Sequence, residues 1–227
     1  VDGVEDVTAT ASEGMARVVG LPPYHPAECA AGTARSAAAE IRLRRRGILP
    51  MSGEPARRRL STTTTRTLVA IPARWGSTRF PGKPLHEIAG KPLVRHVWER
   101  CQDCREVSDI VIATDDESIR EACEAFGARV VMTSPEHPSG TDRIAEAAAL
   151  FPEHGVLINV QGDEPLISPS LIDALAVTLR EQPGIPMITA AAPIREPGLM
   201  EDANVVKVVL DDHGDALYFS RSPLPHF

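Results

Sequence analysis

Hydrophobic and polar residues follow two different patterns along this chain, and the change comes near residue 67. Residues 1–66 show no sustained periodicity and combine alanine- and threonine-rich stretches with two arginine triplets. Such composition is typical of segments that cannot bury enough apolar surface to fold. We therefore expect 1–66 to be a disordered or extraneous N-terminal extension, and 67–227 to be the folded domain.

From residue 68 onward the pattern predicts strands that alternate with helices. The predicted strands are short apolar runs beside turn or helix signals, at 68–73, 109–114, 156–161, 187–193 and 205–210. Between them, the segments 119–126 and 171–179 carry apolar residues at the spacing of one helix face. A last run, 217–220, is predicted to pair antiparallel with 205–210 through the turn at 211–216.

This order of elements predicts the fold class. Runs that are apolar on both faces and separated by helices indicate a parallel sheet that is covered on both sides. We therefore predict an α/β fold with a mostly parallel twisted sheet and helices on both faces. In such folds the ligands bind at the carboxyl ends of the strands.

Composition narrows the class of function. The net charge of −7 argues against a general nucleic-acid binder. No apolar stretch approaches the roughly 20 residues that a membrane span needs. The pair Cys101 and Cys104 has no second pair or histidine partner at metal-site spacing, which favours packing thiols over a zinc site and fits a reducing cytoplasm.

The loop after the first predicted strand carries the candidate chemistry. Arg74, Arg79 and Lys83 offer donors to phosphate oxygens, while Gly76 and Gly82 let the backbone approach a ligand. The Walker pattern Gly-x-x-x-x-Gly-Lys-Ser/Thr is absent, and so is the Gly-x-Gly-x-x-Gly dinucleotide fingerprint. The loop is therefore predicted to bind phosphates, with a solvated basic loop as the alternative.

A second candidate group follows the strand predicted at 156–161. In "NVQGDEP", Asp163 and Glu164 reach the same edge of the sheet as the basic loop. Magnesium binds through one or two carboxylates together with substrate phosphates and waters. We predict Asp163 as the metal ligand, with a turn or capping acid as the alternative, and Glu164 as structural. The acids of "TDDE", 114–117, are predicted to cap a strand end and begin a helix.

The motifs "IPARWGSTRFPGKPL", "HPSGTDRIAEA", "INVQGDEP" and "VVKVVLDDHGDALYFSRSPLP" resemble, in this order, the 3-deoxy-manno-octulosonate cytidylyltransferases, the CMP-Kdo synthetases of lipopolysaccharide biosynthesis. The resemblance covers Thr67 to about Phe227. It implies a Rossmann-like fold of the nucleotide-diphospho-sugar transferase type, Mg2+ as cofactor, a cytoplasmic location and commonly a homodimer. It also implies transfer of CMP from CTP to 3-deoxy-D-manno-octulosonate with release of pyrophosphate. Another acidic sugar such as sialic acid, or CTP binding without catalysis, are the alternatives.

The resemblance also implies roles for individual residues. The catalytic set is Arg74 and Lys83, which face the phosphate charge, and Asp163, which holds magnesium. The nucleotide is implied to contact Pro72, Ala73, Arg74, Lys83, Ser139, Gly140, Arg143 and Gln161, with Ser139 and Gly140 against the cytosine ring.

Three further points stay open in the sequence. Thr141 or Asp142 is also a plausible helix cap, which gives "HPSGTDR" a structural alternative. Arg221 is implied to meet the sugar carboxylate, with a solvated arginine as the alternative. No histidine is singled out as a general base.

The family continues beyond the position matched by Phe227, with a second magnesium-binding aspartate among the residues that follow. We therefore expect the chain to be a fragment whose sheet is incomplete at its C-terminal end.

Overall fold

The centre of the molecule is a parallel sheet of four strands. A computed structural model describes the backbone of residues 16–20, together with residues 65–76 and 80–224. Across the sheet the strands follow the order β6 (Arg129–Met132), β5 (Asp109–Thr114), β2 (Arg66–Ala73) and β7 (His154–Asn159). All three pairings in this sheet are parallel, as the sequence predicts.

Helices cover both faces of this sheet. The helices are α1 (Leu93–Gln102), α2 (Glu117–Ala125), α3 (Gly140–Ala148), α4 (Pro169–Glu181) and the short α5 (Pro197–Glu201). Alternate residues of β2 point to opposite sides, which is the period of a strand. Val69 and Ile71 belong to the core formed with α1, α2 and α4, whereas Leu68 and Ala70 belong to the core formed with α3. The predicted α/β class, with helices on both faces, is confirmed.

The register brings the carboxyl ends of three strands to one edge. Ala73 of β2 pairs with Thr114 of β5, and Ala70 pairs with Asn159 of β7. The residues that follow, Arg74 and Asp115 among them, therefore leave the sheet at the same edge. This edge is where the sequence predicts the ligand.

Charged side chains join the strands at the opposite edge. Arg66 of β2 donates to Oδ2 of Asp109 at 2.6 Å, and Nε2 of His154 lies 2.7 Å from the same oxygen. Three adjacent strands, β2, β5 and β7, are thus connected through one carboxylate at their amino ends.

Smaller elements flank the central sheet. β3 (Glu87–Ile88) and β4 (Lys91–Pro92) form a hairpin that leads into α1. β9 (Lys207–Leu210) and β10 (Ala216–Ser220) pair antiparallel, as predicted. Boundaries differ by two residues where apolar runs extend past the ladder, so that β7 is 154–159 rather than 156–161.

One strand appears within the predicted extension. β1 (Ala16–Gly20) pairs in parallel with β8 (Met187–Ala191), which ends two residues before the predicted 193. The run "ARVVG" is too short to show a period, so the sequence does not indicate β1. The rest of 1–64 lies outside the described residues, and the prediction of a disordered or extraneous extension stays a prediction there.

The cysteines in the described ranges pack as the sequence predicts. Cys101 and Cys123 are buried, Cys104 is half-buried, and all three are free thiols. Burial raises the pKa of Cys101 to about 12 and that of Cys104 to about 11, which keeps both protonated at neutral pH. No helix in 65–76 or 80–224 is long and apolar enough to cross a membrane.

Candidate nucleotide site

A small open pocket lies at the carboxyl edge of the sheet. It is lined by Pro72, Arg74, Gly140, Thr141, Arg143 and Gln161. Five of these six residues are predicted nucleotide contacts, and they come from the end of β2, the first turn of α3 and the segment after β7. Ala73, also predicted, is buried in the core beneath the pocket, with 2% of its surface exposed.

The loop after β2 is closed by a backbone hydrogen bond. The amide of Gly82 donates to the carbonyl of Trp75 at 3.1 Å. Gly82 has a φ of +68°, in the left-handed region that favours glycine, and a Cβ there would lie 3.1 Å from the Trp75 ring. Lys83 follows at once and begins a short 3-10 helix, Lys83–Leu85. Arg79, the third predicted cation, lies outside the described residues.

Lys83 and Asp163 meet although they are 80 positions apart in sequence. Nζ of Lys83 donates to Oδ2 of Asp163 at 2.6 Å, and the two side chains are 34% and 25% exposed. Asp163 comes two residues after Gln161, which lines the pocket. The basic loop and the acid that the sequence predicts on separate elements therefore lie together beside the pocket.

Gly162 allows the segment after β7 to pack closely on β2. A Cβ at Gly162 would lie 2.7 Å from the carbonyl oxygen of Pro72, a distance that real Cβ atoms do not show. Only a residue without a side chain fits unless the backbone shifts. The contact therefore fixes Gln161 and Asp163 against the end of β2.

The helix cap at the pocket is neither of the two residues that the sequence leaves open as a structural alternative. Ser139, rather than Thr141 or Asp142, is the N-cap of α3, and its Oγ accepts from the amide of Asp142 at 3.3 Å. Oγ of Ser139 also donates to Oδ2 of Asp142 at 2.6 Å. Thr141 and Asp142 already lie in the first turn because the helix begins at Gly140, which places Gly140 and Thr141 at the pocket.

Arg143 lines the pocket but is buried, with 2% of its surface exposed. Its Nη2 donates to Oδ2 of Asp115 at 2.8 Å, and its Nη1 donates to Oγ1 of Thr133. Thr133 in turn donates to the carbonyl of Thr114 at 3.1 Å. The sequence analysis assigns the acids at 114–117 to capping. Asp116 does cap α2 at 3.0 Å from the amide of Ile119, but Asp115 instead holds Arg143.

The donor set at this edge suits magnesium only together with a substrate. Asp163 offers a carboxylate, and its neighbour Glu164 is exposed to solvent. Among the described residues no three metal-ligating side chains cluster. Asp163 therefore fits magnesium in the mode that uses one carboxylate and completes the octahedron with phosphates and waters.

Arg221 lies at the end of β10 and is not among the pocket-lining residues. Its Nη1 donates to the carbonyl of Ala203 at 3.2 Å. The buried Lys207 donates to the carbonyl of Arg221 at 2.8 Å and so fixes the backbone at this position. The predicted contact of Arg221 with a sugar carboxylate stays a prediction.

Three histidines in the described part of the chain, His86, His96 and His137, are not among the residues that line the pocket. Nε2 of His96 lies 2.7 Å from the carbonyl of Ile88, His137 contacts Glu146, and His86 stacks edge-on against Phe80. Their contacts are those of loop and helix-surface residues. Whether any histidine acts as a general base stays open, as it does in the sequence.

A parallel sheet with helices on both faces, and a pocket at the carboxyl ends of its strands, place this protein in the class of Rossmann-like nucleotidyltransferase folds. Among known protein families, the model described as "Cytidylyltransferase" matches residues 68–227. The chain belongs to the cytidylyltransferase family.

The names of individual relatives are more specific than the name of the family. The chain is 54% identical over 157 residues to the 3-deoxy-manno-octulosonate cytidylyltransferase of Geobacter metallireducens, a match that covers 69% of this chain and 61% of the relative. It is 52% identical over 160 residues to the protein of the same name from Pseudomonas syringae pv. syringae, covering 69% and 62%. The chain thus spans about three fifths of the length of these curated relatives.

A solved structure agrees with these sequence matches. The structure of CMP:2-keto-3-deoxy-manno-octonic acid synthetase complexed with CTP superimposes with a TM-score of 0.64 and 40% sequence identity. The superposition covers 71% of this chain and 66% of that one. It supports the predicted nucleotidyltransferase type of the fold.

Proposed function

We propose that the protein transfers CMP from CTP to 3-deoxy-D-manno-octulosonate and releases pyrophosphate. The observation that carries this proposal is the 2.6 Å contact between Lys83 and Asp163 beside a pocket whose lining comes from three separate elements. At the carboxyl ends of parallel strands, a carboxylate can hold the metal and a cation can bind the phosphates of a metal-bound nucleoside triphosphate.

In the proposed reaction the anomeric hydroxyl of the sugar attacks the α-phosphorus of CTP and releases its proton to solvent. The bond from this phosphorus to the bridging oxygen breaks, and pyrophosphate leaves with the electron pair. Negative charge accumulates on the phosphate oxygens, so positioning and fixed cations supply most of the rate enhancement. Arg74 and Lys83 are the residues that we assign to this charge.

Asp163 is the residue that would hold magnesium. When bound, the metal supplies positive charge to the phosphate oxygens and orients the leaving group. In the described structure Lys83 occupies one oxygen of Asp163. We propose that this ion pair keeps the carboxylate in place and that Lys83 also reaches the outer phosphates of the nucleotide.

The sugar and the assembly belong to the same proposal. The matched relatives are named for 3-deoxy-manno-octulosonate, which favours this acidic sugar over sialic acid. Arg221 is our candidate for its carboxylate, since a guanidinium can bind a carboxylate through two N–H groups. A homodimer in the cytoplasm is the state that we expect from the family resemblance.

The test is pyrophosphate release from CTP and the octulosonate in the presence of magnesium. We would assay this chain beside the full-length relative from Geobacter metallireducens, which serves as the positive control. Turnover with the octulosonate and not with sialic acid supports the proposal. Turnover with sialic acid alone would change the sugar, and CTP binding by calorimetry without any turnover would leave a nucleotide-binding protein.

A further inference from the structure

A buried ion pair lies beside the candidate pocket and is not explained by the proposed chemistry. Asp115 follows the end of β5, and Arg143 is the fourth residue of α3, so the pair connects the sheet to the helix that carries Gly140 and Thr141. The side chains of Arg143 and Asp115 are 3% and 17% exposed. The ion pair is therefore almost entirely buried, and it nevertheless borders the pocket because Arg143 is one of the lining residues.

Stability alone is a poor reason for this arrangement. Replacing a buried ion pair by apolar residues is often neutral or stabilising, because both charges lose their hydration. Here the second oxygen, Oδ1 of Asp115, is buried without a hydrogen-bond partner among the described residues, which adds a further cost. An arrangement that is costly for folding and borders a pocket points to a role in the pocket.

The bonds of Arg143 fix its guanidinium from one side. Within the described chain, one N–H of Nη2 is bonded to Asp115 and one N–H of Nη1 to Thr133. A guanidinium has five N–H groups in one rigid plane, so fixing two of them fixes the direction of the rest. The remaining donors belong to a residue that lines the pocket.

We propose that Asp115 is a positioning residue for the nucleobase: it holds Arg143 so that the remaining N–H groups of the guanidinium meet acceptor atoms of a cytosine. The inference rests on the proposed function, because it requires CTP in this pocket. Cytosine presents an amino donor at N4 followed by acceptors at N3 and O2, whereas uracil presents an acceptor at O4 and a donor at N3. A fixed donor opposite N3 therefore accepts cytosine and rejects uracil.

Gln161 completes the complementary pattern. Its Nε2 donates to Oδ1 of Asn159 at 3.0 Å, which fixes the orientation of the carboxamide. Its Oε1 is then the acceptor that the N4 amino group of cytosine requires. Without Asp115, only the bond to Thr133 holds the guanidinium of Arg143, so that it can turn towards the charge of the phosphates and loses selectivity for the base.

The test compares three ligands by calorimetry on the wild-type chain and on Asp115→Ala: CTP, UTP and inorganic triphosphate. We expect the variant to bind CTP about tenfold to a hundredfold more weakly, the range expected for hydrogen bonds to a charged group. We also expect the preference for CTP over UTP to fall, while the affinity for inorganic triphosphate stays equal or rises. Asp115→Asn, which keeps the shape and an acceptor oxygen, should restore part of the preference.

Matched variants separate positioning from stability. Asp116→Ala removes the cap of the neighbouring helix α2 without touching Arg143, and it should lower the melting temperature while leaving the preference for CTP intact. Thr133→Val removes the other partner of Arg143 and should lower the preference, whereas Thr133→Ser should preserve it.

Three outcomes overturn the inference, and they are distinguishable from one another. If the wild type binds CTP and Asp115→Ala and Asp115→Asn keep its preference over UTP, Asp115 does not position the base and the proposed function stands. If the wild type binds neither CTP nor UTP while it binds inorganic triphosphate, the proposed function fails and this inference fails with it. An equal loss of affinity for all three ligands would assign Asp115 to folding alone.

Discussion

Two single residues determine how the candidate site is held together. Lys83 provides a cation next to the acid at 163, and Gly162 provides the space that lets this acid approach β2. The first contact is electrostatic and the second is steric. They therefore predict different consequences of substitution, one on ligand binding and the other on the backbone.

Lys83→Ala should weaken the binding of CTP more than that of CMP. The proposed partners of Nζ are the outer phosphates, which CMP lacks, and a charge-assisted hydrogen bond of this kind contributes about tenfold or more in affinity. Calorimetry with both nucleotides measures the difference. Lys91→Ala is the control, because Lys91 pairs with Glu99 at 2.8 Å. Equal weakening of CTP and CMP would remove the assignment of Lys83 to the outer phosphates.

Gly162→Ala should displace the segment that carries Gln161 and Asp163. The new Cβ would lie 2.7 Å from the Pro72 carbonyl, so the backbone must move, and we expect a loss of about 1–3 kcal/mol in unfolding free energy. Denaturant melts measure this loss, and CTP affinity should fall with it. Gly184→Ala, where a Cβ meets nothing within 4 Å, is the matched control. Unchanged stability in both variants would contradict the close packing.

Among the helices and strands, α3 contributes the most residues to the pocket. Its first turn supplies three residues of the pocket, Gly140, Thr141 and Arg143, so where the helix begins decides what the pocket presents. Ser139 sets this start through its bond to the amide of Asp142. The cap is therefore part of the site even if its side chain contacts no ligand.

Ser139→Ala should destabilise the protein by about 1 kcal/mol, because the amide of Asp142 loses its cap. For a chain of this size that corresponds to about 2–4 °C in melting temperature. Ser168→Ala is the control, since Ser168 is the N-cap of α4 but its side chain accepts from no backbone amide of that helix; its Oγ bonds only to Oγ of Ser170, at 2.8 Å. Calorimetric melts of the two variants should differ, and a Ser139→Thr variant, which keeps a hydroxyl that accepts from the Asp142 amide and donates to the Asp142 carboxylate, should recover the wild-type value. Equal melting temperatures for both alanine variants would contradict the capping role.

A helix, strand or loop could be predicted from the sequence where a short local pattern of residues determines it. Uninterrupted apolar runs indicate β2 and β5, whose positions the structure confirms. Glycine beside cations predicts a phosphate-binding loop after β2, which stays a prediction. The alternative that Thr141 or Asp142 caps α3 names the wrong residue, because Ser139, Thr141 and Asp142 are all good capping residues and only the helix start separates them.

Long-range contacts were beyond such patterns. The acids at 114–117 read as ordinary helix-start residues, and nothing near Asp115 in sequence indicates a partner 28 positions away. The contact of Gly162 with Pro72 likewise depends on how β7 packs beside β2. The family resemblance, rather than periodicity, brought Arg143, Gln161 and Ser139 into the predicted site.

At the scale of the whole molecule, the carboxyl and amino ends of the central strands have different roles. The carboxyl edge holds the pocket, and the amino edge holds Arg66, Asp109 and His154 together across three strands. Burial acts to raise the pKa of Asp109, but the hydrogen bonds from His154 and Arg66 lower it below its ordinary value of 3.8. Folding is therefore coupled to the ionisation of this carboxyl.

The stability of the protein should fall as the pH drops below about 4. Because the pKa of Asp109 is lowered in the folded chain, its stabilisation is complete above the ordinary value and is lost as the pH falls through the folded value. Asp109→Asn should lower the melting temperature at pH 7 by about 2–4 °C, which corresponds to roughly 1 kcal/mol. The difference from wild type should shrink towards pH 3.

Thermal melts from pH 7 to pH 3 measure this convergence. Glu121→Gln is the control, as Glu121 has no ion pair among the described residues and should leave the profile unchanged. A constant gap between Asp109→Asn and wild type at every pH would show that the carboxyl does not titrate with folding.

The 80 positions between Lys83 and Asp163 make nucleotide binding a reporter of the assembled tertiary structure. An unfolded chain cannot hold both groups at one ligand, so any nucleotide that binds there stabilises the native state by mass action. At a concentration one hundred times its dissociation constant, this linkage amounts to about 2.7 kcal/mol. If CTP is that nucleotide, as proposed, a cell rich in CTP would protect the protein from unfolding, and a thermal-shift screen would rank candidate ligands independently of turnover.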